Sequence, residues 1–449
     1  MNKNKQMKLG LSMRYLGYHS AAWRHRDVPE DGALSFNYFL ETAKKAEAAK
    51  LDMIFFADGV AVRGEDKPKG ALARDMRNVE LEPLTLLSAI GSHTSHIGLV
   101  ATASTTYNEP YHIARKFASM DHISGGRAGW NAVTSWTHQE ALNFNRDKHL
   151  EHAERYERAT EFIEVVKGLW SSWEPDAFIR NKQTGIFYDE KKMNVLNYVG
   201  KHFKVRGPLG CAATPQGRPV IVQAGGSGPG MQLGAVHADV IYSSALELEP
   251  AQKLYRDMKV RAVGAGRRAG DLVIMPGVTL YVGKTRDEAR AKYQELQDLI
   301  DPISGLALLN SLIGDLSGYD IDGPVPDIAV DKTTKITSLS ENLLAVAKRD
   351  NRTIRQLYQM IGAGQGVRCL IGTPADIADD LQNWFEGEAA DGFNICPPIL
   401  PGGVDDLADL VLPELRRRGL FRSEYQGKTL RENLGLSWPG VNNNASAVA

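Results

Sequence analysis

The stretch ISGGRAGWNAVTSW (residues 123–136) is where the fold is decided. Two glycines and an arginine make a tight turn. AGWNAVTS (128–135) then reads as a short apolar strand whose end turns polar at Asn131, Thr134 and Ser135. The same kind of unit recurs on both sides of it. MKLGLSM (7–13), LDMIFFAD (51–58), HIGLVATAS (96–104), PVIVQAGG (219–226), DVIYSS (239–244), LVIMPGVTLYVG (272–283) and DGFNICPP (391–398) are further apolar runs. Helical patterns lie between them, as in FLETAKKAEAAK (39–50). Runs that are apolar throughout mark strands buried on both faces. Strand–helix alternation gives parallel strands joined by right-handed crossovers. Eight such units predict an α/β fold, a (β/α)8 TIM barrel. The alternative is a doubly wound sheet, but its G-x-G-x-x-G signature does not follow the first strand.

The eight runs are unevenly spaced. This predicts one barrel domain over 1–449 with insertions at about 59–80, 137–150, 171–218 and 300–345 covering one mouth, and a C-terminal tail at 437–449. A formal net charge of −1 gives no electrostatic case for nucleic-acid binding. No run of 18 apolar residues is present, which argues against a membrane span. The polar start MNKNKQMKLGLSMR lacks the apolar core of a signal peptide, so a cytoplasmic protein is expected. Cys211, Cys369 and Cys396 form neither a disulfide framework nor a zinc motif, and no H-E-x-x-H or C-x-x-C occurs, so no metal is expected.

Active sites of such barrels sit at the C-terminal ends of the strands. In AGGSGPGMQLGAVHAD (224–239) a glycine-rich turn leaves the fifth strand and enters a helix, with Ser227 or Gly228 at the cap and Pro229 in the first turn. Backbone N–H groups there suit an anion. The turn serves equally as a tight strand–helix connection. In HLEHAERYERATEFIEVVKGLW (149–170), His152 and Tyr156 are four apart and share one helical face. Both donate hydrogen bonds that an anion needs. The plainer alternative makes Tyr156 core and His152 solvated.

STTYNEPYHIARKFASMDHISGGRAGWNAVTS (104–135), LEHAERY, QAGGS and the C-terminal DGFNICPPILPGGVDDLADLVLPELRRRGLFRSEYQGKTLRENLG closely resemble the bacterial-luciferase-like, FMN-dependent monooxygenases. The specific branch it resembles is the group around nitrilotriacetate, EDTA, dibenzothiophene-sulfone and long-chain alkane monooxygenases. The resemblance runs from Leu9 to about Leu436. It implies a TIM barrel and a two-component system in which a separate NAD(P)H-dependent flavin reductase supplies reduced FMN. It implies flavin contacts at Asp58, Ser104, Asn131, His152, Tyr156 and Ser227, to which the glycine turn adds the Gly228 amide, and a homo-oligomer, dimer or tetramer. The implied reaction uses O2 to oxygenate a small organonitrogen or organosulfur compound, with cleavage of a C–N or C–S bond in some members. A deazaflavin-dependent dehydrogenase sharing the barrel and a non-catalytic flavin-binding protein are the alternatives.

The first strand–helix loop, YLGYHSAAWRH (15–25), offers substrate contacts at Tyr18, Trp23 and Arg24. His19 is the candidate proton donor or acceptor, because histidine titrates near neutrality. Arg14, Arg24 and Arg77 suit a carboxylate, or are solvated or paired with acids. Trp136 is a further substrate candidate. It stands where the long-chain-alkane relative carries a histidine, so that histidine's role is not carried over.

Overall fold

The computed structural model describes residues 5–62, 65–135, 137–328 and 337–439. Eight parallel strands form its centre: β1 (Lys8–Ser12), β2 (Met53–Phe56), β3 (Gly98–Ser104), β4 (Ala128–Val133), β5 (Val220–Gln223), β6 (Val240–Ser243), β7 (Val273–Val282) and β8 (Gly392–Ile395). Each pairs with the next in chain order, and β8 closes on β1. All eight apolar runs are strands of this (β/α)8 barrel. Among the described residues no helix is long and apolar enough to cross a membrane.

Side-chain alternation along the strands divides the core. Outward residues such as Leu9, Leu11, Ile54, Phe56, Leu99, Trp130 and Ile221 pack against the surrounding helices. Inward residues fill the barrel in two zones. The lower zone is apolar: Met53, Phe55, Val100, Val220, Val222, Val240, Val273 and Met275, plugged from beneath by Leu430, Leu434 and Leu436. Higher up, the inward positions turn polar at Ser12, Thr102, Asn131, Tyr242 and Asn394.

The lower ends of the strands are held by buried carboxylates. Asp52 accepts the Leu9 N–H at 2.7 Å and pairs with Arg422. Asp239 accepts the Ile221 N–H at 2.9 Å, takes a two-pronged contact from Arg218 at 2.7 and 2.9 Å, and meets Arg431 at 3.2 Å. Asp391 accepts from the Ile274 N–H at 3.0 Å, Lys259 at 2.7 Å, Lys5 at 2.9 Å and the Tyr255 hydroxyl at 2.9 Å. Each carboxylate thus fixes the second residue of a neighbouring strand.

β7 forks. Val273–Pro276 pair with β6 and Gly277–Val278 with β8, while Val278–Val282 pair with an additional parallel strand, Arg368–Gly372. Between β7 and that additional strand the chain makes a helical excursion (Arg286–Asp298, Pro302–Ile313, Thr337–Arg349 and Ile354–Gly362). Its own apolar cluster includes Leu309, Leu316, Ile354, Leu357 and Tyr358. It docks on the first loop: the Ser20 N–H donates to the Gly362 carbonyl at 2.9 Å, and the Gln365 amide to the Tyr18 carbonyl at 2.7 Å. Between helix His152–Trp170 and β5, the chain carries a short antiparallel ladder, Tyr198–Val199 against Lys204–Val205.

Candidate active site

Two clusters form at the C-terminal ends of the strands. The first lies over β2, β3 and β4. Ser104, the last residue of β3, is buried; its hydroxyl accepts the N–H groups of Thr106 at 3.0 Å and Tyr107 at 3.3 Å and shares a 2.8 Å hydrogen bond with the Ser135 hydroxyl. On β4, the Asn131 amide donates to the Thr102 hydroxyl at 2.8 Å, which donates to the Phe56 carbonyl at 2.6 Å. The Asn131 Oδ1 is enclosed and has no hydrogen-bond partner among the described residues. Asp58 follows β2 and caps the Gly59 N–H at 2.7 Å. Asp58, Thr102, Ser104 and Ser135 line the inner end of a groove of about 850 Å³ that continues outward between helices Pro83–Gly91 and Pro110–Ser124.

The second cluster gathers at the turn after β5. Ser227 caps helix Gly228–His237, its hydroxyl accepting the Gly230 N–H at 3.3 Å. Gly225 packs directly on Gly230: a Cβ on Gly225 would come within 2.8 Å of the Gly230 Cα. A Cβ on Gly226 or Gly228 would meet nothing within 4 Å, so these two glycines border open space. Helix His152–Trp170 brings His152 and Tyr156 here, their rings 4.9 Å apart. The Tyr156 hydroxyl lies 2.9 Å from where a Gly230 Cβ would sit. Side chains of two separate motifs thus meet near one helix N-terminus, with Tyr156 against it and His152 against Tyr156, where the dipole favours an anion.

That same helix joins the two clusters. Arg155, beside Tyr156 in the chain, donates to the Ser135 carbonyl. His149 Nε2 donates to the same carbonyl at 3.3 Å, and its Nδ1 accepts from the Tyr107 hydroxyl at 2.5 Å. Ser135 needs this support, because its φ of 47° lies in the left-handed region that a serine rarely adopts. Tyr107, His149 and Arg155 were not singled out in the sequence. Only the proximity of His149 and Arg155 to the His152–Tyr156 pair hinted at them.

The first-loop candidates divide. The Tyr18 hydroxyl meets the Ser12 hydroxyl inside the mouth, and burial raises its pKa well above the usual phenol value. Trp23 and Arg24 do not join Asp58 and Ser104. They line a separate cleft of about 180 Å³ with Arg74, Asp301 and Ser304, and Arg24 donates to the Leu299 carbonyl. Trp136 lies outside the described residues. The expectation that His19 titrates near neutrality is corrected. Burial lowers its pKa to about 3, and its Nδ1 accepts the Ala21 N–H at 3.1 Å. Gln297 stands close enough to offset the burial in part, though out of hydrogen-bond geometry. His19 is therefore a neutral imidazole at neutral pH, with Nε2 protonated, and does not serve there as a proton acceptor at Nδ1.

The residues present fit a flavin mononucleotide. Hydroxyl and N–H donors meet at a helix N-terminus for a phosphate, and Asp58, Ser104 and the unpartnered Asn131 carbonyl oxygen stand at the strand ends for a polar ring system.

Residues 16–391 match the family model described as luciferase-like monooxygenase. The chain is 50% identical to N-acetyl-S-(2-succino)cysteine monooxygenase of Bacillus subtilis (strain 168), over 98% of each chain. It is 47% identical to nitrilotriacetate monooxygenase component A of Aminobacter aminovorans, again over 98% of each. Among solved structures it resembles riboflavin lyase with modified FMN and riboflavin, with a TM-score of 0.84, 32% identity and 97% of each chain covered.

Proposed function

We propose a two-component flavin reaction for this chain, which belongs to the luciferase-like monooxygenase family. It takes reduced FMN from a separate NAD(P)H-dependent reductase and oxygenates a small organosulfur or organonitrogen compound. Bound reduced FMN supplies two electrons, so that O2 delivers one oxygen atom to the substrate and the other leaves as water. The observation that carries this reading is the single helix His152–Trp170. It brings Tyr156 to the glycine turn and, through Arg155, fixes the Ser135 carbonyl beside Ser104. One rigid element thereby spaces a phosphate site from a ring site.

The chain's own part is binding, orientation and exclusion of water. Tyr156, His152, Ser227 and the Gly228 N–H hold the phosphate. Asp58, Ser104 and Asn131 orient the ring. The helical excursion docked on Ser20 and Tyr18 covers the mouth, which keeps a reactive site dry. The names of the two relatives, one a sulfur compound and one a nitrogen compound, support the substrate class.

The test is an anaerobic titration with reduced FMN, followed by oxygen uptake with a generic flavin reductase and a panel of thioethers and amines. Saturable FMN binding and substrate-dependent product carrying one atom of labelled oxygen are expected. Binding of a deazaflavin in preference to FMN, or binding with no product across the panel, would turn the reading toward a dehydrogenase or a flavin carrier.

A further inference from the structure

Two arginines stand close together at the mouth, and they are served very differently. Arg77 is complete. Its Nε and Nη2 grip the Asp75 carboxylate at 2.8, 3.1 and 2.7 Å, and its backbone N–H adds a fourth contact to it at 2.9 Å. Arg14 is not. Its single ion pair is a 3.4 Å contact from Nη2 to Glu80, and its Nε is enclosed with no acceptor among the described residues. Yet the residue is 91% buried, being only 9% exposed. A guanidinium has five donors and no way to shed its charge, so burying one this poorly met is costly.

Its placement is specific. Leu9, Leu11 and Met13 face the surrounding helices, so alternation turns Gly10, Ser12 and Arg14 inward. The Met13 N–H donates to the Phe55 carbonyl at 2.9 Å, which carries the β1–β2 ladder up to this level. Arg14 is thus the next inward residue above Ser12, the partner of Tyr18. Its guanidinium carbon stacks 4.4 Å from the Tyr15 ring centre, which fixes the plane of the fork. A planar, immobilised fork with unfilled donors matches a carboxylate.

We propose that Arg14 anchors a carboxylate of the substrate, so that the enzyme acts on a sulfur- or nitrogen-bearing organic acid. The anion completes at Arg14 what Asp75 completes at Arg77, and Glu80, whose contact with Arg14 is long at 3.4 Å, is the competitor it displaces at that arginine. This deepens the monooxygenase reading and rests on it for the identity of the mouth.

The test uses the full-length protein and three acids, methylthioacetate, iminodiacetate and succinate, each titrated calorimetrically beside its methyl ester. Wild-type protein should bind at least one acid at least tenfold more tightly than its ester. Arg14→Met should lose that preference, and Arg14→Lys should retain part of it. Glu80→Gln should move the other way and tighten the acid several-fold, a gain that misfolding does not produce. With any acid that is turned over, Arg14→Lys should raise KM by tenfold or more while kcat changes little. Equal binding of acids and esters by wild type, or unchanged acid binding in Arg14→Met, overturns the proposal. A parallel anaerobic titration with reduced FMN separates the two readings. Acid discrimination without FMN binding leaves the carboxylate subsite and removes the flavin, and FMN binding without discrimination does the reverse.

Discussion

At the foot of the barrel, Asp52, Asp239 and Asp391 each meet a backbone N–H and at least one buried or partly buried cation. At the mouth, the Asn131 Oδ1, both amide atoms of Asn394, the Thr279 hydroxyl and His19 Nε2 are enclosed without partners among the described residues. An unsatisfied buried polar group costs about 1–3 kcal/mol. The foot also leaves atoms unmet, Arg431 Nε and Asn433 Nδ2 among them, but its carboxylates are spent on holding the strands, whereas the mouth keeps unfilled hydrogen-bonding capacity at the strand ends, where a ligand can use it. Stability and function occupy opposite ends of the same eight strands.

The largest expected effect tests the foot. Asp239→Ala leaves Arg218 and Arg431 without their shared carboxylate, and loss of one partner of a buried pair costs about 3–5 kcal/mol. Urea denaturation should show that loss, while the folded fraction keeps its FMN affinity. A loss under about 1 kcal/mol would break the comparison.

The second test crosses both ends by pH. His19 at the mouth and His237 at the foot are each held at about 3, chiefly by burial. Both are neutral when folded and take a proton near 6.5 once unfolded, so they oppose folding as pH falls below about 6.5. Asp121 works against them. Burial pushes it up to about 6, so the folded chain holds a proton that the unfolded chain releases above 3.8. Near pH 5 these three groups give a net uptake of about one proton on unfolding, or ~1.4 kcal/mol of stability lost per pH unit. His19→Gln and His237→Gln should each remove about one proton from the slope measured by denaturation between pH 4.5 and 6.5. An unchanged slope in either would show that this histidine is not kept neutral.

Smaller effects belong to the mouth. Tyr156→Phe should weaken reduced-FMN binding about tenfold, the worth of one hydrogen bond to a charged group, with an unchanged melting temperature. His152→Ala should act in the same direction. Anaerobic titration checks both, and unchanged affinity removes the residue from the phosphate site. Smallest of all is Asn394→Leu. It deletes two unpartnered polar atoms for an apolar group of similar shape, so thermal stability should stay within ~1 kcal/mol of wild type or rise. A marked loss would mean that Asn394 is satisfied in solution and that the mouth is less incomplete than its geometry indicates.

The barrel was legible because its strands are buried on both faces: continuous apolar runs such as LDMIFFAD and DVIYSS need no tertiary context to be seen. The helical spacing of His152 and Tyr156 placed them on one face, and the structure brings that face to Ser227. His19 was misjudged because its depth is set by the excursion that docks on the first loop, which no local pattern reveals. The foot was written openly and passed over. An aspartate stands directly before the second, sixth and eighth strands, but its role depends on Arg422 and Arg431, far away in the chain. Arg155 and its hold on Ser135 were likewise invisible, because a strained backbone leaves no mark in residue type.

The fork in β7 has a consequence for how such enzymes diversify. The excursion departs after Val282 and returns at Arg368, whose rung partner is Val278, and the Gly283 N–H reaches the Gly372 carbonyl at 3.2 Å. Departure and return are therefore stitched to one strand, from the last rung that closes the barrel onward. A segment mounted in this way is a cassette. It can be lengthened, shortened or exchanged between relatives without shifting the register of any barrel strand, and doubling a flexible loop costs only ~0.6 kcal/mol of closure entropy. New excursions can then be tried on a chassis whose strand pairing and foot stay unchanged.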